Sequence, residues 1–85
     1  MAYAVEVAPT AEREFRKLTR AVQLSLRPRI DALAYDPRPA GAKKLKGLGD
    51  LWRIRAGDYR IVYQIRNQSL VILIVRGAHR REVYR

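Results

Sequence analysis

The chain has 85 residues, no cysteine and a formal charge of +10. That length predicts one domain, residues 1–85, whose modest core a tight partner would help to stabilise. Disulfide and thiol chemistry are excluded, and the longest apolar run, 70–75, is strand-sized and too short for a membrane-crossing helix.

Tyr3-Ala4-Val5-Glu6-Val7 alternates and is rich in β-formers, which predicts a first strand. Pro9-Thr10 breaks it, and Thr10 is a residue type that caps helices. Ala11, Phe15 and Leu18 then recur at helical spacing, with Arg13, Arg16 and Lys17 outside. Thr19 is a second candidate cap. Val22, Leu26, Ile30 and Leu33 follow at about one turn each and predict a second amphipathic helix to Tyr35, although Pro28 falls inside it, where proline breaks or kinks a helix. The two helices are expected to form a hairpin against a sheet. Asp36-Pro37-Arg38-Pro39-Ala40-Gly41 is a loop by composition, and a basic loop, Lys43-Lys44-Leu45-Lys46-Gly47, follows.

The second half reads as a three-stranded antiparallel meander, so the fold class is α+β. Segments 51–56 and 59–66 flank Gly57-Asp58, and glycine first in a two-residue loop marks a type II′ hairpin turn. That turn sets Ala56 opposite Tyr59, Arg55 opposite Arg60, Ile54 opposite Ile61, Arg53 opposite Val62 and Trp52 opposite Tyr63. Facing residues share a side of the sheet. Trp52, Ile54, Ile61 and Tyr63 therefore form an apolar side for the helices, and Arg53, Arg55, Arg60, Val62 and Gln64 form the other. A slip of one residue would bury the arginines, so the pattern itself holds the register. Asn67-Gln68 is a second turn, and 70–75 is a strand, apolar on both faces, whose Val71, Leu73 and Val75 lie beside the arginines. Arg76-Gly77 is expected to end it, leaving the tail from His79 to Arg85 near the end of the same face.

Positive charge is uneven: residues 43–85 carry +8 and residues 1–42 only +2, with fourteen arginines to four lysines overall. A polyanion partner is the natural reading, and the arginine bias suits phosphate forks and base stacking. The plainer alternative is a solvated basic face.

Arg53, Arg55 and Arg60, with His79, Arg80 and Tyr84 from the tail, could compose one basic site. Such a site permits cleavage of RNA by its own 2′-hydroxyl, which requires a base at the 2′-oxygen, positive charge on the pentacoordinate phosphate and an acid at the leaving 5′-oxygen. Tyr84 is the candidate base, with a packing residue as the alternative: a free phenol titrates near pH 10, roughly, and neighbouring guanidiniums favour its ionised form. His79 is a candidate proton carrier or RNA contact. Lys43, Lys44, Lys46 and Arg81 are candidate RNA- or ribosome-binding residues, and a solvated loop is the alternative for the lysines. No metal-ligand spacing is present, and neither metal nor cofactor is expected.

These motifs resemble the RelE toxin family. The resemblance rests on Arg16-Lys17-Leu18, on Leu33, Pro37 and Lys44-Leu45-Lys46-Gly47, on Trp52 to Tyr63, and on the ending His79-Arg80-Arg81-Glu82-Val83-Tyr84. It spans nearly the whole chain and extends to the ParE, YoeB and HigB relatives. It implies a helix hairpin on a mostly antiparallel sheet. It also implies cleavage of messenger RNA in the ribosomal A site, leaving a 2′,3′-cyclic phosphate and a 5′-hydroxyl. By motif position, Arg53 and Arg55 stand where a basic strand pair, often lysine, serves the reaction. Arg60 matches the arginine that holds the scissile phosphate, Arg80 a tail arginine, and Tyr84 the tyrosine that acts on the 2′-hydroxyl. Arginine in place of lysine keeps the charge but not the proton traffic, since its pKa exceeds about 12. With the sequence stopping at Arg85, the extra C-terminal helix of some relatives is not expected. The partners implied are a cognate antitoxin, messenger and ribosomal RNA, and operator DNA through the antitoxin complex, with no membrane and a cytoplasmic location; no secretory signal is read at the N-terminus. The competing readings are a ParE-like gyrase inhibitor without nuclease activity and a non-toxic nucleic-acid-binding module.

Overall fold

The computed structural model describes residues 2–45, 50–69 and 71–79, and the side chains of all of these but 77–79. Five strands share one sheet in the order β1-β5-β4-β3-β2: β1 Ala4–Val7, β2 Lys43–Lys44, β3 Leu51–Ala56, β4 Tyr59–Arg66 and β5 Val71–His79. Two helices, α1 Pro9–Arg16 and α2 Arg20–Ala32, lie between β1 and β2 in the chain. The α+β expectation holds, and the sheet is mixed: β1 runs parallel to β5, while β2, β3, β4 and β5 pair antiparallel in succession.

The helix ends show where local sequence rules succeed. Thr19 caps α2 as expected, its Oγ1 accepting from the Val22 amide at 3.3 Å. Thr10 does not cap α1. The helix starts two residues earlier than that cap would set, because Pro9 occupies its first turn, where the preset φ suits a helix and the missing N–H costs nothing, and Ala8 becomes the N-cap. Pro28 is carried inside α2 without ending it. The acceptor it leaves without a helical donor belongs to Leu24, whose side chain is 57% exposed, so water can take the place of the missing N–H.

The β3–β4 ladder has the register that the turn dictates: Ala56 faces Tyr59, Arg55 faces Arg60, Ile54 faces Ile61, Arg53 faces Val62 and Trp52 faces Tyr63. Gly57 has φ +63°, a left-handed conformation that disfavours any residue with a Cβ. On one side of this ladder Ile54, Ala56, Ile61, Tyr63 and Ile65 join Ile72 and Ile74 of β5 in the core, closed by Ala11 of α1, Leu26 of α2 and Leu33. Each of these is removed almost completely from water, which is the main stabilising term for so small a core.

Two strands differ from expectation. Lys43 and Lys44 form β2 rather than a loop, because the chain leaving Gly41 runs alongside the free edge of β3 and Leu45 N–H donates to Leu51 C=O at 2.9 Å. β5 does not end at Arg76-Gly77 but continues to His79, supplying partners for the first half of β4. A bulge makes this fit: Tyr63 pairs with Ile74 but Val62 with Arg76, so Val75 is the extra residue.

The loop between α2 and β2 is fastened at two points. The Tyr63 hydroxyl, buried at the core, donates to the Pro37 carbonyl at 2.7 Å. Arg38 lies over the Trp52 ring, 5.2 Å from its centroid, within cation–π range. Burial pushes the Tyr63 phenol up to about 12, partly opposed by Arg38 and reinforced by Asp36. Among the described residues no helix is long and apolar enough to cross a membrane.

The raised phenol makes a pH prediction. Its contribution to stability is fully present below the unfolded tyrosine value of about 10 and is lost as pH rises from there to about 12, because the unfolded chain releases this proton first. Tyr63→Phe should lower stability by about 1 kcal/mol near neutral pH through loss of the Pro37 bond. It should also flatten the fall in urea-unfolding free energy above pH 10, roughly. A Tyr63→Phe protein with the same alkaline slope as wild type would contradict this account.

Candidate RNA-binding face

The sheet face opposite the core is built by parity. Once the turn pairs Arg55 with Arg60 and Arg53 with Val62, both pairs face away from Ile54 and Ile61. Adjacent strands extend the two rows. Lys43 of β2 stands opposite Arg53, and Arg76 of β5 opposite Val62, so one row reads Lys43, Arg53, Val62, Arg76. The next reads Arg55, Arg60, Ala78. Val71 and Leu73 sit beside Arg66 and Gln64 and floor the same face, as expected, while Val75 falls in the bulge.

Burial grades the charges. Arg55 is exposed, Arg53 half-buried, and Arg60 only 8% exposed, the one buried charged residue among those described. A guanidinium cannot shed its charge. Arg60 is therefore a fixed cation in the least hydrated of the charged positions described on the face, where charge stabilisation is strongest. The Arg76 guanidinium is engaged elsewhere, donating to the Glu14 carboxylate of α1 at 2.9 Å.

The sheet brings Arg53, Arg55 and Arg60 together and adds Lys43 to them. It separates Lys44, which stands opposite Trp52 on the helix-facing side. It also moves position 79 off the expected face: the bulge shifts the parity of β5, so residue 79 stands opposite Tyr59, a member of the core-facing row, and Ala78 takes the place opposite Arg60. Lys46, Arg80, Arg81 and Tyr84 lie outside the described residues. Among the described residues no three His, Asp or Glu side chains group as metal ligands.

Sequence reasoning missed one part of this region. A pocket of about 380 Å³ opens at the edge of β3, with Arg29 and Ala32 of α2 and the loop residues Pro39 to Gly41 as walls and Arg53 to Arg55 along the strand. Only the joint appearance of prolines and arginine in 37–39 hinted at a shaped loop there. A separate groove between β1 and α2, lined by Val5, Val7, Phe15, Leu24 and Ile30 among others, carries none of the expected site residues.

Comparison with known proteins is consistent throughout the chain. The sequence profile of the family described as the ParE toxin of the type II toxin–antitoxin system parDE matches residues 5–84. The chain is similar to the mRNA interferase toxin RelE of Escherichia coli, 33% identical over 88 aligned positions that cover 99% of this chain and 92% of that protein. Its fold is similar to the toxin–antitoxin complex RelBE2 of Mycobacterium tuberculosis, with TM-score 0.83 and 27% identity over 94% of this chain and 100% of the other. It is similar also to the archaeal RelE–RelB complex of Pyrococcus horikoshii, with TM-score 0.80 and 32% identity over 94% and 97% of the two chains.

A face of this kind has a measurable salt dependence. Each phosphate contact to single-stranded RNA contributes about 0.7 to the slope of log affinity against log salt. With Arg53, Arg55 and Arg60 engaged, the protein should bind a short single-stranded RNA with a slope steeper than about −2. A slope near zero would mean that the arginines do not meet phosphate.

Proposed function

The chain belongs to the ParE/RelE toxin family of type II toxin–antitoxin systems, and from that premise we propose that it is the endoribonuclease toxin of its pair, cleaving messenger RNA in the ribosomal A site. The observation that carries this reading is the hairpin register, which sets Arg53, Arg55 and Arg60 on one face with Arg60 buried. The names of the mRNA interferase relatives support it.

The reaction is a transfer within the RNA. The 2′-oxygen loses its proton and attacks the adjacent phosphorus; the bond to the 5′-oxygen breaks; that oxygen takes up a proton. A 2′,3′-cyclic phosphate and a 5′-hydroxyl result, and no water or metal ion enters. Arg60 holds the scissile phosphate, and Arg53 and Arg55 stabilise the extra negative charge of its pentacoordinate form. None of the three moves a proton, since arginine stays charged. Tyr84 takes the 2′-proton and Arg80 adds positive charge, as the family motif implies; guanidinium charge favours the phenolate. Lys43, Lys44, Lys46, His79 and Arg81 contact RNA or the ribosome, Lys43 from the arginine face itself.

The partner is a cognate antitoxin, as in the RelBE complexes, and operator DNA is met through the joint complex. The site of action is the cytoplasm, where ribosomes translate. The profile match to ParE toxins favours a second reading, a gyrase poison with the same fold. The arginine face has no part in that reading.

Induced in a bacterial host without antitoxin, the wild-type chain should arrest growth and leave new 5′-hydroxyl ends within messenger RNA. Arg60→Ala and Tyr84→Phe should each relieve arrest while still binding antitoxin, with cleavage reduced on the order of 100-fold or more. Arrest with intact messenger RNA and a DNA-damage response would decide for the gyrase poison.

A further inference from the structure

We propose that the pocket at the open edge of β3 holds the phosphate of a nucleotide next to the one cleaved, with Arg29 of α2 as its positioning residue. This rests on the nuclease function proposed above and adds to it a contact outside the reacting group.

Three features of the pocket point to an anion. First, Arg29, Arg53 and Arg55 all line it, and no carboxylate does. The planar guanidinium fork matches phosphate oxygens two at a time.

Second, the strand edge is open there. β2 ends at Lys43, level with Arg53, so nothing in the ladder continues beside Arg55. Leu45 donates to Leu51 across the same edge, which makes 51, 53 and 55 the residues of β3 whose amides face outward. The Arg55 N–H is thus a backbone donor at the pocket, of the kind that suits an oxyanion.

Third, the opposite wall is low. Ala32, Pro39, Ala40 and Gly41 offer little bulk, and Gly41 with φ +90° turns the loop where a side chain would be strained. That leaves width for a ribose.

The position of Arg55 decides between RNA and an acidic peptide as occupant. Arg55 lines the pocket and also faces Arg60 across the ladder, about 5 Å away between Cα atoms. The pocket therefore shares Arg55 with the face assigned to the scissile phosphate, and a chain of phosphates would pass from one to the other over that residue. A lone carboxylate has no such continuation.

The test is binding of a short fluorescein-labelled single-stranded RNA to the intact toxin, followed by anisotropy over a range of salt concentrations. Arg29 is exposed, so its replacement leaves the core untouched. Arg29→Gln should weaken binding severalfold and flatten the salt slope by about 0.7, the share of one phosphate. Arg29→Lys, which keeps the charge, should restore the slope. Arg13→Gln on α1 makes the same change in net charge at an exposed position outside the pocket, and it should leave the slope at the wild-type value. An Arg29→Gln slope equal to that of Arg13→Gln would overturn the site. So would an Arg29→Gln protein that loses antitoxin affinity while its RNA slope is unchanged, for then the pocket takes a peptide carboxylate. Failure of the nuclease function itself reads differently: the free protein would show the Arg29 effect on RNA binding while ribosomal messenger RNA stayed uncut.

Discussion

The structure depends on the pairing of β3 with β4. A two-residue loop with Gly57 in the left-handed region admits one register, and strand parity does the rest. Even-numbered residues of β3 and odd-numbered residues of β4 enter the core, and their neighbours in sequence are thrown to the opposite face. Core and arginine face are two sides of one constraint. A slip by one residue would place Arg53, Arg55 and Arg60 among Ile72, Ile74 and Leu26 and would expose Ile61 and Tyr63, an exchange far beyond the marginal stability of a small domain.

The rest of the fold serves this pair. β5 covers the second edge of β4, and its bulge at Val75 lets nine residues follow eight without losing the pairing at either end. Its price is paid by position 79, which falls opposite Tyr59. The loop 36–42 is held by the Tyr63 hydroxyl and by the stacking of Arg38 on Trp52, so the wall it forms beside β3 is anchored to the core-facing row of the same ladder. The arginine face and the pocket at its edge thus share one support.

Legibility in the sequence followed interaction range. The turn at Gly57-Asp58, the two faces of the hairpin and the Thr19 cap each depend on residues a few positions apart, and each was readable. The apolar repeat of α2 was readable past Pro28, although only the exposure of Leu24 explains why the helix continues. What could not be read depends on contacts between distant segments. The parallel pairing of β1 with β5 joins residues more than sixty positions apart. β2 is too short to show a period, and its alternation, Lys43 toward the arginines and Lys44 away, comes only from its neighbour. Arg29 reads as one more exposed helix residue until α2, the 39–41 loop and β3 are placed around one pocket. Of the candidate site, the arginine triplet came from local parity. The role of Tyr84 came from phenol chemistry together with family resemblance and that of Arg80 from resemblance, and both lie outside the described residues.

The central claim is that Arg53, Arg55 and Arg60 act on RNA as one surface. It is tested most directly by following the side-chain Nε–H signals of the arginines by NMR while a dinucleotide with a 2′-deoxy group at the cleavage position, which resists the reaction, is added. The account predicts that these three signals move together along one saturation curve, while that of Arg13 on α1 stays in place. Signals of the three that shift with unrelated curves, or not at all while helix residues respond, would contradict it.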